Sequence, residues 1–437
     1  MNKLFQQQQP FSPATFPIPY AWVILMVGIL GIIMSIPGQT MGISVFTDAL
    51  ITALAIERFE LSNAYLIGTL GSAMLLPKVG KLYDVYGGRI LAMLAVGLMI
   101  CTLVVLSYSN ELVQQITCQL PFLDVHLLPF VFITLLFFLL RFSGQGVLTM
   151  VSRTMLMKWF IENRGFANGL SGVAVAFGFS IAPGIFNGMM EEIGWQATLR
   201  EIAFIAFVFM IVAYCFYRDT PESSDCLPDG GRVLFPSKYK KTSLPDQDLT
   251  LAAAKRTYTF WIFNLTIALL GLYYTAMTFH IADIFERASR SRSTAFAIFV
   301  PSAFIALFCN FFGSWISDYI QLRYLLYLEL LGILLSALAI IFLADFSFCY
   351  YLLILGNGMV TGLNGVLASV SWPRFFGLTH LGAITGYAMS WNVGGSALGP
   401  ALFSLFERQT GTYELACWVV IGLVILLIVV AWLVRQK

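Results

Sequence analysis

Twelve apolar runs, each long enough to cross a bilayer, constrain this chain more than any motif in it. They fall at about 20–48, 61–79, 90–109, 129–151, 166–190 and 196–217, and then at 258–283, 294–316, 323–344, 347–371, 382–405 and 413–434. A helix needs about 20 apolar residues to span the hydrocarbon core. Only structures that pair every backbone N–H and C=O internally survive there, so such runs are read as helices. A polar stretch at 218–257 splits the runs six and six. The expected fold is an all-α membrane protein of 12 transmembrane helices in two pseudo-symmetric six-helix bundles. Composition agrees: 59% of the 437 residues are hydrophobic and 11% charged, against about 25% charged in soluble domains. Those values exclude a water-soluble globule and a disordered chain. Balanced charge, 25 Lys and Arg against 23 Asp and Glu, argues against nucleic acid as a partner.

The chain divides into a tail at 1–19, a bundle at 20–217, a linker at 218–257 and a second bundle at 258–437. The tail, with Gln6–Gln9 and Pro10, Pro13, Pro17 and Pro19, reads as disordered. The run that begins at 20 is too long for a signal-peptide core and is kept as the first span. The linker, with Pro221, Pro228, Gly230, Gly231, Pro236 and Pro245, reads as a flexible cytoplasmic tether. Most Lys and Arg fall on the side of the termini and linker, which places that side in the cytoplasm. The expected location is the plasma membrane, or the inner membrane of a bacterium. None of the seven cysteines forms a CxxC pair, so metal and disulfide frameworks lack support. Cys118 and Cys349 alone fall near outer loops where a bridge is feasible.

An internal repeat underlies the two halves. Residues 80–89 read GKLYDVYGGR and residues 314–323 read SWISDYIQLR, each joining the second span of its half to the third. Asp84 pairs with Asp318 and Arg89 with Arg323. At a second common spacing, Gly165, Gly169, Gly178, Pro183 and Phe186 coincide with Gly382, Gly386, Gly395, Pro400 and Phe403. A long loop at about 110–128, against a few residues near 345, accounts for the difference between the two spacings. Parallel repeats of this kind accompany a binding site between two halves.

On these residues the chain resembles the major facilitator superfamily. Gly80, Asp84, Gly87 or Gly88, and Arg89 resemble its loop signature between spans two and three, with Asp318 and Arg323 as a weaker second copy. KWFIENRGFANG and RFFGLTHLGAITG look like loops of the monocarboxylate and oxalate/formate carrier branch. The chain departs from that branch by carrying no Lys or Arg in 294–316 or 382–405. The resemblance implies that Gly80, Asp84, Arg89, Asp318 and Arg323 gate the cytoplasmic side. A carboxylate there would sit at the positive end of a neighbouring helix. It also implies that spans one, four, seven and ten line the substrate cavity.

A charge within a span costs several kcal/mol unless paired or wetted. Arg141 lies near the middle of span four. It reads either as the anchor for an anion, its fork matching a carboxylate, or as part of a structural ion pair. Arg141 followed by Gln145 and Gly146 resembles the superfamily's fourth-span pattern with one additional residue. Span one is interrupted by Pro37, Gly38 and Gly42, and Gln39 there is either a substrate donor or a helix contact. Tyr273 and Tyr274 cannot share a face, and Tyr274 is preferred for the cavity. Asn357, Thr361, Asn364 and Ser371 follow helical spacing in span ten, and Asn392 adds a polar group in span eleven. Glu329 in span nine is an acid without an evident partner. Small residues in spans five and eleven suit close helix contact.

These features predict a secondary active or facilitative transporter of a small solute working by alternating access. Arg141 favours an organic anion such as a monocarboxylate. The alternatives are a carrier for a neutral or zwitterionic solute and a non-transporting receptor. Protons are a candidate coupling ion, a lipid bilayer the surrounding partner, and a monomer the expected state. An enzyme is not expected, because His126, His280 and His380 are scattered, and without a P-loop ATP-driven pumping is not expected either. No cofactor is implied.

Overall fold

The computed structural model describes residues 9–119, 127–231 and 248–433. Gln6–Gln8, His126 and the linker residues 232–247, including Pro236 and Pro245, lie outside the described residues. The first half holds α1 (Tyr20–Ile33), α2 (Arg58–Tyr86), α3 (Gly88–Ser107), α4 (Leu127–Trp159), α5 (Arg164–Ile193) and α6 (Trp195–Phe216). The second holds α7 (Tyr258–Arg287), α8 (Phe299–Ser317), α9 (Leu322–Ile341), α10 (Cys349–Phe376), α11 (Leu381–Thr410) and α12 (Glu414–Leu433). Ten of these helices are long and apolar enough to cross a membrane. The other two, α2 and α11, run for 29 and 30 residues and are more polar. Among the described residues no strand occurs. Large apolar side chains such as Met74, Phe304 and Trp432 are exposed. Water would disfavour that surface, whereas lipid tails solvate it.

Two compact units emerge, following the two halves except at α5 and α11. The start of α5, Glu162–Val173, clusters with the second unit, and Thr385–Met389 of α11 clusters with the first. Within unit 1, α3 packs on α6, α2 on α4, and α1 on the end of α4. Within unit 2 the same partners recur six helices later: α9 on α12, α8 on α10, and α7 on α10. The repeat read from glycine spacing reappears in atomic contacts. A methyl on Gly169 would sit 3.2 Å from Phe311 O and Ser314 Cβ of α8. A methyl on Gly386 would sit 2.7 Å from Leu76 O and 2.9 Å from Gly80 Cα of α2. The inserted loop carries its own helix, Ser109–Gln119, where the second half has only a short turn before Cys349.

Several expectations are refined. Residues 9–19 do not hang free: Arg218 donates from Nη2 to Phe11 O at 3.2 Å, and its guanidinium lies 5.2 Å from the Phe11 ring. The described ends of the linker are fastened. Asp229 accepts from Ile161 N at 3.1 Å in unit 1. Asp248 accepts from Leu378 N and Thr379 N at 3.2 and 3.1 Å in unit 2. The turn between α2 and α3 is made at Gly87, whose φ of +85° suits glycine, while Gly80 sits inside α2. Cys118 and Cys349 are both free thiols.

Candidate functional site

The site in unit 1 begins with two interrupted helices. Pro37 cannot donate a helical hydrogen bond, and α1 gives way to a tight turn at Ile36–Gly38, followed by a short helix at Thr40–Ile43. Opposite it, α4 widens into a π-helical stretch over Arg141–Leu148. Such stretches are rare and recur at functional sites. A wider turn holds one more residue, which accommodates the additional residue seen between Arg141 and the Gln145-Gly146 pair. The backbones meet here: a methyl on Gly38 would lie 2.5 Å from Leu140 O and 2.8 Å from Gly144 Cα.

This meeting presents Arg141 to the broken span. Its side chain is 3% exposed. Nη1 donates to Gly38 O at 3.3 Å and to Thr40 Oγ1 at 3.2 Å. The guanidinium carbon stands 4.9 Å from the centre of the Tyr65 ring on α2, a cation–π contact of about 0.5–2 kcal/mol. Tyr65 OH lies 2.8 Å from Thr40 Oγ1, closing the ring of contacts. Among the described residues, Nε is buried without a hydrogen-bond partner, as is Oε1 of Gln145. Among the described residues, no carboxylate forms an ion pair with Arg141. Gln39 donates to Ser35 Oγ and Thr149 Oγ1 at 3.1 and 3.2 Å, so it joins α4 to the span-one break.

In unit 2 the polar positions separate. Tyr273 is fully buried, with its hydroxyl 2.7 Å from Ser336 Oγ of α9. Tyr274 is half-buried and bonds Thr278 on its own helix. Ser336 donates to Asn357 Oδ1 at 3.1 Å, and Thr361 donates to Asn357 O at 2.7 Å. Asn357 and Ser371 are buried, while half-buried Asn364 has an Oδ1 without a partner among the described residues. Asn392 packs on Gly271 of α7, where a methyl would meet its Oδ1 at 2.5 Å, so it is a helix contact.

The loop residues also divide. Asp318 accepts from Gly165 N at 3.0 Å, placing its carboxylate at the first turn of α5 within unit 2. Its basic partner is Arg374 at 3.5 Å, which also donates to Ser317 O. Arg323, the repeat counterpart of Arg89, lies over the Tyr324 ring at 5.1 Å. Its position, which follows Asp318 by five residues, turns it onto α9. Arg89 is 1% exposed and braces α6: its N–H donates to Asp219 Oδ1 at 3.0 Å, and its guanidinium lies 4.7 Å from the Tyr214 ring. Burial pushes the Asp219 carboxyl up, against the hydrogen bonds from Arg89 and Gly88. Asp84 is half-buried in the last turns of α2. Sequence reasoning missed Tyr65 and the Arg374 pairing. Nothing in the local pattern distinguishes Tyr65 from other aromatic residues, or Arg374 from other basic residues near the loops.

A family model described as Major Facilitator Superfamily matches residues 23–400. The chain belongs to the major facilitator superfamily. Membership in that superfamily and the apolar helices make it a multi-pass membrane protein of a transporter family. It is similar to monocarboxylate transporter 10 of Rattus norvegicus, with 23% identity over 272 residues, 61% of this chain and 52% of that protein. The chain spans about half the length of that curated relative. Among solved structures, it resembles the human organic anion transporter MFSD10, with a TM-score of 0.63, 12% identity and coverage of 94% and 99% of the two chains. It also resembles the proton:xylose symporter XylE, with a TM-score of 0.62, 14% identity and coverage of 94% and 95%. At these identities the structural likeness speaks for the fold.

Proposed function

We propose that this transporter carries a small organic anion of the monocarboxylate class and that Arg141 meets its charge. The observation that carries the reading is a buried guanidinium held by a carbonyl, a hydroxyl and an aromatic face, with Nε unpartnered. A buried cation without a counter-charge costs several kcal/mol. A carboxylate ligand would supply that counter-charge through a bidentate fork. Gln145 Oε1, without a hydrogen-bond partner among the described residues, is an acceptor left for a donor on the solute. Gln39 takes the lesser role of holding the helices that carry Arg141, and Tyr274 and Asn392 hold helices of unit 2. Asp318 with Arg374, rather than Arg323, serves as the latch at the start of α5; Asp84 and Gly80 serve the equivalent segment of the first half, with Arg89 bracing it. The orientation has both termini and the linker in the cytoplasm, in the plasma membrane or a bacterial inner membrane, and the working unit is a monomer.

The carrier of a neutral solute is the competing reading, and the sugar symporter among the structural neighbours favours it. A thermal-shift panel of monocarboxylates, amino acids and sugars on purified protein separates the two. Stabilisation by monocarboxylates that is lost in Arg141→Lys supports the anion. Stabilisation by sugars alone, retained in Arg141→Lys, overturns it.

A further inference from the structure

The half of α4 nearer the linker is enclosed on almost every side. From Gly146 to Phe160 every residue is buried except Arg153, which is half-buried. The other sides of this helix have their partners within unit 1. Thr149 donates to Ser35 Oγ of the first span at 3.0 Å. Ser152 Oγ lies 2.8 Å from the Tyr217 hydroxyl, just past α6. Thr154 Oγ1 lies 3.1 Å from Thr385 Oγ1, in the segment of α11 that clusters with unit 1. At about 100° per residue, Arg153 stands about 40° round the helix from Thr149 and about 100° from Thr154. Its side of α4 therefore lies between α1 and the Thr385 segment.

Arg153 differs from the other enclosed cations of unit 1. Lys158 stands 4.8 Å from the centre of the Tyr83 ring, and Arg218 donates to Cys215 O at 2.9 Å. Among the described residues, Arg153 makes no hydrogen bond, ion pair or ring contact. Yet it lies inside the apolar run Leu127–Trp159. A charge in such a run is costly unless water or a counter-charge meets it. Lipid does not account for its exposure. A helix face turned to lipid opens positions three and four residues apart together, as Val131 and Leu135 do earlier in α4. Around Arg153 the matching positions, Thr149, Met150, Leu156 and Met157, are all buried. The guanidinium thus opens onto a crevice bordered by protein.

We propose that Arg153 is a second anion site on α4, which takes the carboxylate of a small organic anion at a stage of passage separate from Arg141. The proposal rests on the organic-anion reading of the transported solute. Arg141, Gln145, Thr149 and Arg153 follow one another at four-residue steps, the spacing of neighbours along a helix. Twelve residues at about 1.5 Å each set the two arginines about 18 Å apart along α4. A small monocarboxylate cannot bridge that distance, so it meets one fork or the other. Arg153 is the one nearer the linker, since Trp159 at that end of α4 donates to Arg218 O at 2.8 Å. Its planar fork offers a carboxylate two parallel N–H donors, and the bound anion supplies the counter-charge that the protein leaves out.

The test modifies the full-length protein with phenylglyoxal, which attacks accessible guanidinium groups, in nanodiscs of phosphatidylcholine. Modification of Arg153 is read by peptide mass spectrometry. Acetate is the probe, compared with an equal concentration of chloride. At ten times its half-saturating concentration, acetate should slow modification of Arg153 about elevenfold. The protection should persist in Arg141→Lys, because the two sites are separate. Arg153→Gln removes a cation without partners, so its melting temperature should not fall. An Arg153 that is never modified, or is modified equally fast in acetate and chloride, overturns the proposal. Slowing by phosphatidylglycerol in the nanodisc but not by acetate overturns it in favour of a lipid headgroup, and a lower melting temperature of Arg153→Gln overturns it in favour of a structural contact. Failure here leaves the Arg141 reading standing if carboxylate stabilisation is still lost in Arg141→Lys; protection of Arg153 without that loss overturns the Arg141 reading alone.

Discussion

The carboxylate of Asp318 offers a direct measure of how unit 2 holds the start of α5. The first N–H groups of a helix have no partner within it. Gly165 is the second residue of α5, and its N–H reaches Asp318 Oδ1 at 3.0 Å, with Asp318 only 8% exposed. A hydrogen bond to a charged group contributes about 1.5–3 kcal/mol. The positive end of the helix adds about 0.3–1 kcal/mol. Asp318→Ala removes both, about 2–4 kcal/mol in sum, which corresponds to about 30- to 800-fold faster amide exchange at Gly165. Asp318→Asn keeps an acceptor and loses the charge, about 1 kcal/mol and about fivefold. The assay is hydrogen exchange by NMR on 15N-glycine-labelled protein, with Gly178, deeper in the same helix, as the control. Unchanged exchange at Gly165 in Asp318→Ala would refute the assignment of this carboxylate as the cap of α5.

Other substitutions probe separate contacts. Gly165→Ala drives a methyl into Ser314 O and to 2.8 Å from Asp318 Oδ2; it should cost about 1–3 kcal/mol, and an unchanged melting temperature would contradict the close approach. Glu329 is fully buried, and neither of its carboxyl oxygens has a hydrogen-bond partner among the described residues. Glu329→Leu should therefore raise thermal stability by about 1–3 kcal/mol, and a large loss would reveal a partner that the geometry does not contain. Burial disfavours the Asp283 charge, but hydrogen bonds from Tyr413 and Arg287 outweigh it and hold the carboxyl below the usual range, so its contribution to stability is present above about pH 4. That contribution is lost as pH falls through the depressed value. The acid limb of the melting curve should flatten in Asp283→Asn, and an unchanged limb would contradict the Arg287 and Tyr413 contacts.

The long periodicity of the chain was legible because bilayer spanning leaves few alternatives. Apolar runs of fixed length gave the helices, and Gly165 and Gly169 with their partners Gly382 and Gly386 gave the repeat before any coordinates did. The break at Pro37 and the additional residue after Arg141 were also visible, since both disturb helical spacing. Side-chain partners were not legible. Arg323 and Arg374 carry the same charge near the same loop, and only packing decides that Arg374 meets Asp318. Gln39 and Asn392 look like solute ligands in a sequence, which does not show that Gln39 also bonds Thr149 of α4 or that Asn392 packs on Gly271 of α7. Tyr65 gave no signal because its role depends on where α2 crosses α4. His280 was set aside as isolated in sequence; Asp283, Pro400 and Tyr413 reach it only through the fold.

The proposed transport turns on Arg141 as the cation that would meet the solute. Counterflow of a radiolabelled monocarboxylate into proteoliposomes, compared between the unsubstituted protein and Arg141→Lys, tests this most directly. Replacing the planar fork with a point charge should reduce counterflow about tenfold or more, while the melting temperature stays near that of the unsubstituted protein. Equal counterflow in both proteins, or counterflow of sugars but of no monocarboxylate, would contradict the account.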